Sequence, residues 1–327
     1  MGRISISFLN MAKQKHVEAD ATKEMFPLKD IESPKPLSPS SIEGNVWTRH
    51  KAQLIARYLY SFLSVTKNGI YLDAFAGPQT VGDREQSWAA LRLLEKQSIF
   101  LNRACLFEQD PSKIPFLEEL KTKYCQGFRR LSNRQVMVFP GDCNKQIPIY
   151  LKQHKIKPKK AAFALLDQRT HECSWDLVKT LANHKTGGNK VEIFYFLAQG
   201  WMNRSIKSSS QPTKISEIDS WWGDSNWNHF VGMKSFERAT FMEGRFKNEL
   251  GYEFARAFPM KDYGNDGKIM FWLIHASDHP RANPLMISAY RSIGLNWTDE
   301  EWEQIHIDEI IANLGNDASI TCGSLLR

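Results

Sequence analysis

Four acidic residues, Asp73, Glu108, Asp142 and Asp167, each stand at or just beyond the end of an apolar, strand-like run. A carboxylate placed there accepts hydrogen bonds from amines and hydroxyls. In chain order the four suit a ligand that carries an amine, a ribose diol and an adenine amino group. Asp73 would hold the amine. Glu108 stands where the acidic residue of dinucleotide folds holds both ribose hydroxyls. Asp142 could reach the exocyclic amine. Asp167 would orient or deprotonate an acceptor at the reacting end. A competing use exists at every position, since acids after parallel strands also N-cap the next helix.

The first of these acids lies in Ile70–Tyr71–Leu72–Asp73–Ala74–Phe75–Ala76–Gly77–Pro78. A β-branched and aromatic run ends in Asp73 and breaks into small residues, as a buried parallel strand does at the ligand side of an open α/β sheet. The small residues around Phe75 and Gly77 let the backbone approach a nucleoside. Only Gly77 precedes Gly82, so a pyrophosphate has no glycine-rich cradle. S-adenosylmethionine therefore suits this rim better than a dinucleotide does.

Asp167 opens the densest segment, Asp167–Gln168–Arg169–Thr170–His171–Glu172–Cys173–Ser174–Trp175. Enzymes that methylate exocyclic amines of bases commonly place Asp/Asn-Pro-Pro-aromatic here, and this chain has Gln168–Arg169–Thr170 after its Asp. Arg169 could meet a phosphate or pair with Asp167. Cys173 beside His171 has the makings of a nucleophile, although a lone cysteine at a helix start is more often buried. His171-x-Cys173 lacks two further zinc ligands. Asn203–Arg204 and the cluster Trp221, Trp222 and Trp227 could form a platform for a flat substrate, or simply core. A turn into Pro280 accounts for His275, Asp278, His279 and Arg281.

The strand candidates that carry these residues are Ile70–Asp73, Arg103–Glu108, Val136–Phe139, Ala161–Leu166 and Val191–Leu197. Helical periodicity occupies Trp47–Lys67, stopped by Asn68–Gly69, then Ser87–Gln97, Ser112–Tyr124, Lys145–Gln153 and Ser174–Asn183, with Ser87 and Ser174 as N-caps. An amphipathic segment, Lys234–Leu250, precedes the runs Tyr252–Pro259 and Lys268–His275, joined by a turn-rich Asp262–Gly267. Five parallel strands followed by an antiparallel pair, with helices on both faces, is the Rossmann-like class I methyltransferase sheet. A dehydrogenase sheet would continue in parallel to a sixth strand.

Residues 1–40 read as a flexible polar leader, 41–293 as the methyltransferase-like domain and 294–327 as a helical tail. The 327 residues are 42% hydrophobic, enough for a core, and carry a net charge of +7, which allows a polyanionic partner. Five scattered cysteines, Cys105, Cys125, Cys143, Cys173 and Cys322, point to reduced thiols in a cytoplasmic protein. No apolar run is long enough for a bilayer, so no membrane association is expected.

The strings YLDAFAGP, GDCN at 141–144, LLDQRTHECSW at 165–175, VEIFYFLAQGWMNRS at 191–205, WWG at 221–223 and HASDHPRANPLM at 275–286 resemble the three-Cys-motif partner protein family. The resemblance runs from about Trp47 to about Ile293. It implies a class I methyltransferase-like fold and a bacterial or phage-borne, cytoplasmic protein. It also implies a partner encoded nearby, a phage-type protein whose three-cysteine motif is like that of radical S-adenosylmethionine enzymes. Asp73, Gly77, Glu108, Asp142 and Asp167 carry over as pocket residues. The family's first loop often reads Gly-Pro-Gly, whereas here Gln79 follows Pro78 and puts a side chain where the methionine moiety would lie. Three functions follow as expectations: an S-adenosylmethionine-dependent methyltransferase acting on a nucleic acid or on its partner system's product, a non-catalytic adaptor for the three-cysteine partner, or nucleic-acid binding without chemistry, which rests on the charge and the tryptophans alone.

Overall fold

The computed structural model describes residues 46–79, 84–96, 98–125, 134–198, 212–262 and 268–294. The leader, the tail beyond Gly294, Asn203–Arg204, Cys322 and most of the turn at 262–267 lie outside the described residues.

Helix α1 (Val46–Thr66) buries the stripe Leu54, Ile55, Tyr58, Leu59, Phe62 and Leu63. Its stop falls one residue earlier than expected. Lys67 takes the left-handed conformation (φ 55°) and donates its N–H to the Leu63 carbonyl at 2.9 Å. Gly69 is needed for a different reason: a Cβ there would lie 2.3 Å from Leu63 Cδ2.

Strand β1 (Gly69–Asp73) is followed by the one-turn helix α2 (Arg84–Ser87) and α3 (Ala89–Glu95). Ser87 is thus not the N-cap of α3. That place falls to Trp88, whose side chain makes no cap bond and instead donates to the Ala76 carbonyl at 2.6 Å. Then come β2 (Leu101–Glu108), α4 (Ile114–Cys125), β3 (Gln135–Pro140), α5 (Cys143–Gln153), β4 (Ala161–Leu166), α6 (Trp175–Ala182) and β5 (Glu192–Ala198). Ser174 does cap α6, accepting from the Leu177 N–H at 3.1 Å.

After β5 lie α7 (Pro212–Trp222), α8 (Asn228–Gly232) and α9 (Ser235–Gly244), which passes into a π-turn at Arg245–Glu249 rather than running on as one helix. The closing elements are β6 (Phe254–Asp262), β7 (Lys268–Ser277) and α10 (Ala282–Ser292). Strand order is β3-β2-β1-β4-β5-β7-β6, parallel through β5 and antiparallel at β5–β7 and β7–β6. This is the class I methyltransferase arrangement. Chain order reverses between β1 and β4, whose carboxyl ends, Asp73 and Leu165, face each other across the ladder. Such a reversal opens a crevice for ligand in open α/β sheets.

Alternation along the strands sends Ile70 and Leu72 to one core and Tyr71 to the other. Trp221, Trp222 and Trp227 belong to the first. Trp221 and Trp222 are 2% and 3% exposed, so they form no platform, and Trp221 Nε1 donates to the Tyr195 hydroxyl at 2.6 Å. Half-buried Trp227 donates to Asp219 at 2.7 Å. His275 is likewise not part of a turn: it is buried within β7, 3.0 Å from Glu192 Oε1. No described helix is long and apolar enough to cross a membrane.

Candidate functional site

Asp73 ends β1 fully enclosed. It accepts from the Tyr71 hydroxyl at 2.7 Å and from the Phe75 N–H at 3.2 Å, which starts the loop to Gln79. Burial pushes its carboxyl up to about 7, against the opposing pull of those two bonds. The loop then lies down on β2. The Gly77 N–H donates to Glu108 Oε2 at 2.9 Å, and the Asp110 N–H donates to Glu108 Oε1 at 2.8 Å. A Cβ on Gly77 would sit 2.4 Å from Glu108 Oε2 and 2.6 Å from Lys113 Cδ. Gly77→Ala is therefore expected to break the Glu108 bond and lift the loop. It should lower stability by about 2 kcal/mol, read as a shift in the urea midpoint.

Asp167, just past β4, is where the loop residues converge. Lys51 of α1 reaches both its oxygens, at 2.9 and 2.8 Å, and the Gln79 amide donates to it at 3.3 Å. The Lys51 side chain is 4% exposed. Burial raises the Asp167 carboxyl, and the Lys51 ammonium works against that rise. The pairing partner is thus Lys51, not Arg169, which is exposed and makes no ion pair among the described residues. Lys51, Asp73, Phe75, Gly77, Gln79 and Asp167 line one narrow cavity of about 20 Å³. Lys51 had a visible signal: a cation three and four residues before Leu54 and Ile55, inside the apolar stripe of an amphipathic helix.

Not every candidate joins this cavity. Glu108 meets it through Gly77 but does not line it. Asp142 caps α5, its Oδ1 accepting from the Asn144 backbone at 2.9 Å and side chain at 3.0 Å. Asn144 in turn ties down the loop after Asp167, donating to the Glu172 carbonyl at 2.7 Å and accepting from the Ser174 N–H at 2.8 Å. Gln168 is a strap: fully buried, it donates to the Phe196 carbonyl at 3.1 Å and accepts from the Cys173 N–H at 3.0 Å. Cys173 is 0% exposed, and burial together with neighbouring Cys143 holds its thiol far above the usual range, which removes the nucleophile reading. His171 instead faces Glu217 at 3.4 Å.

The residues fit S-adenosylmethionine in chemistry, end by end. Lys51 opposite Asp73 and Asp167 matches the carboxylate and ammonium of an α-amino acid. Each Glu108 oxygen keeps one acceptor site after its backbone bond, and Asp142 Oδ2 makes no hydrogen bond among the described residues.

No protein-family model matches the chain, and no curated protein matches it. Among solved structures it is similar to the methyltransferase domain of bacterial CtHen1, at 10% identity and TM-score 0.39 over 70% of this chain and 99% of that one. A second structure of that domain gives 10% identity and TM-score 0.34, covering 68% and 98%. A Pyrococcus horikoshii protein described as a transferase gives 13% identity and TM-score 0.32, covering 74% and 66%.

Proposed function

We propose that the chain is an S-adenosylmethionine-dependent methyltransferase that acts on nucleic acid together with a three-Cys-motif partner. The observation that carries this reading is the charged cavity at the strand-order reversal, where Lys51 pairs with Asp167 beside Asp73. The cofactor, when bound, supplies an activated methyl group. Asp73 and Asp167 take its ammonium, Lys51 its carboxylate, Glu108 its ribose hydroxyls and Asp142 its adenine amine. Asp167, raised by burial and held by Lys51, orients or deprotonates the acceptor. Exposed Arg169 is placed to meet an acceptor's phosphate. The net charge of +7 supports a nucleic-acid acceptor.

Isothermal titration tests the reading directly. The folded protein should bind the cofactor with a Kd in the micromolar range, on the order of −8 kcal/mol. Lys51→Met and Glu108→Ala should each weaken binding by about tenfold or more, as loss of one charge-assisted contact does. No heat at millimolar cofactor, with the circular dichroism of a folded protein, overturns the proposal.

A second reading rests on its own observation. Each Glu108 oxygen already accepts from one backbone amide, and the Gln79 side chain lies on Asp167, so the rim is already held together by the chain's own groups. An adaptor that keeps the sheet as a scaffold would look like this. Co-purification with the three-cysteine partner that survives Glu108→Ala and Asp167→Ala, without cofactor binding, would select it.

A further inference from the structure

The opposite edge of the sheet carries the other sign of charge. Gly69 of β1 pairs with Leu101 of β2 and with Ala161 of β4, so the amino ends of three strands lie side by side, away from the carboxylates. Lys67 leads into β1 and Arg103 lies near the start of β2. Lys155, Lys157, Lys159 and Lys160 lead into β4, and Lys185 comes from the loop before β5. Between Asp142 and Asp167 there is no acidic residue, and none between Asp176 and Glu192.

These cations share one surface. Lys160 Nζ donates to Asn68 and, at 2.7 Å, to Asn102, which ties β4 to the starts of β1 and β2. Lys185 Nζ donates to the Lys160 carbonyl at 3.0 Å, and the Ile156 N–H donates to His184 Nε2 at 3.1 Å. Gly188 lies against Pro158, whose carbonyl oxygen would be 2.5 Å from an added Cβ. The 154–160 and 183–190 loops are thereby one packed unit. Burial, then the fields of Lys185 and Lys155, lowers His184, and burial, then Arg103, lowers Lys160. Lys155, Lys157 and Lys159 are exposed, and none of them, nor Lys160, Lys185 or Arg103, makes an ion pair among the described residues. The acid that bears on the cluster, Asp278, sits 3.6 Å from Lys190.

We infer that this edge binds the phosphate backbone of a nucleic acid, at a site separate from the carboxylate-lined cavity. Crowded, uncompensated lysines repel one another, and a regular polyanion relieves that repulsion while releasing its own counterions. A lipid surface fits less well, because Ile156 is buried and Ile99 is the one large aliphatic side chain exposed among the described residues of this edge. The contacts go to phosphate, so binding carries no base specificity.

Fluorescence anisotropy of the full chain with labelled RNA or DNA of about 30 nucleotides, from about 50 to about 300 mM salt, tests the inference. The affinity should fall with a log–log slope of about −3 to −5. The triple variant Lys155→Gln/Lys157→Gln/Lys159→Gln should make that slope shallower by about 2 to 3 and weaken binding at least about tenfold at 100 mM salt. Lys121→Gln, on α4 and paired with Glu118, should leave both unchanged. Cofactor titration should be the same for the triple variant and the parent, so the two proposals fail separately. Absence of binding at the lowest salt, an unchanged slope in the triple variant, or tighter binding to phosphatidylserine vesicles than to nucleic acid would each overturn the inference.

Discussion

Arg245→Met is expected to lower stability by about 3–5 kcal/mol, the cost of removing a buried guanidinium together with its stacking and hydrogen bonds. The guanidinium is 7% exposed and lies 3.8 Å from the Trp175 ring centroid and 4.3 Å from that of Trp222. Two desolvated cation–π contacts account for roughly 2–4 kcal/mol of the loss. The rest comes from the groups left behind. Arg245 Nε and Nη2 bond both Glu249 oxygens, at 2.7 and 3.0 Å, and Nη2 also reaches the Trp222 carbonyl at 2.9 Å. Glu249 has a second donor, Trp175 Nε1 at 2.9 Å, and it is 43% exposed, which softens the penalty on that side. Arg245→Lys keeps the charge but not the planar stack or the fork, and should recover less than half the loss. Urea midpoints at unchanged m-value read both effects. A loss under about 1 kcal/mol for the methionine variant would show that the stack contributes only packing.

The same cluster shows where sequence reading reached and where it stopped. The LLDQRTHECSW and WWG strings stand out as unusual, but their nearness in space is not written in either. In the fold Trp175, from one string, packs on Gly223, from the other. Gly223 has φ +99°, and a Cβ there would fall 2.8 Å from Trp175 Cδ1. Local composition left platform and core both open because aromatic residues suit stacking and cores alike, and only burial separates the two. Strand existence was legible because parallel strands buried on both faces are near-continuous apolar runs; ends were off by a residue or two where Leu101 and Ala198 extend their strands. The antiparallel pair was legible for the same reason, although β6 starts at Phe254 rather than Tyr252.

The site was half legible for a different reason. Asp73, Gly77 and Asp167 could be placed because strand ends in a parallel sheet share one side, whatever the loops do. Lys51 could not be assigned to them, since its contact with Asp167 spans 116 residues and depends on how α1 crosses the sheet. Asp142 shows the ambiguity that remained: the same carboxylate caps a helix through Oδ1, while Oδ2 makes no hydrogen bond among the described residues. Capping and ligand binding are not exclusive uses of a two-oxygen group.

The strongest pH effect should come from Asp73. Its carboxyl is raised from 3.8 to about 7, because burial outweighs the bonds from Tyr71 and Phe75. The sign is the reverse of a salt-bridged aspartate. Below pH 4 both states hold the proton; between about pH 4 and 7 the folded state keeps a proton that the unfolded chain has lost, so stability falls as pH rises through that window. Three pH units correspond to about 4 kcal/mol, an upper bound because the unfolded chain and nearby charges relax. Asp167, raised in the same direction, adds to the trend. Urea midpoints should therefore decline from about pH 4 to about pH 7 in the parent, while Asp73→Asn, neutral at that position, should decline less, through Asp167 alone, and exceed the parent at the alkaline end. A parent whose stability rises over that range would sink the account. On the proposed reading, the cofactor's ammonium brings a cation to Asp73. Its arrival beside Asp73 favours the ionised form, so binding near neutral pH should release a proton, measured as a heat that differs between buffers of unequal ionisation enthalpy. Asp73→Asn should bind weakly and release none. On the proposed reading, a carboxylate that weakens the fold at neutral pH is kept for the ligand rather than for the scaffold.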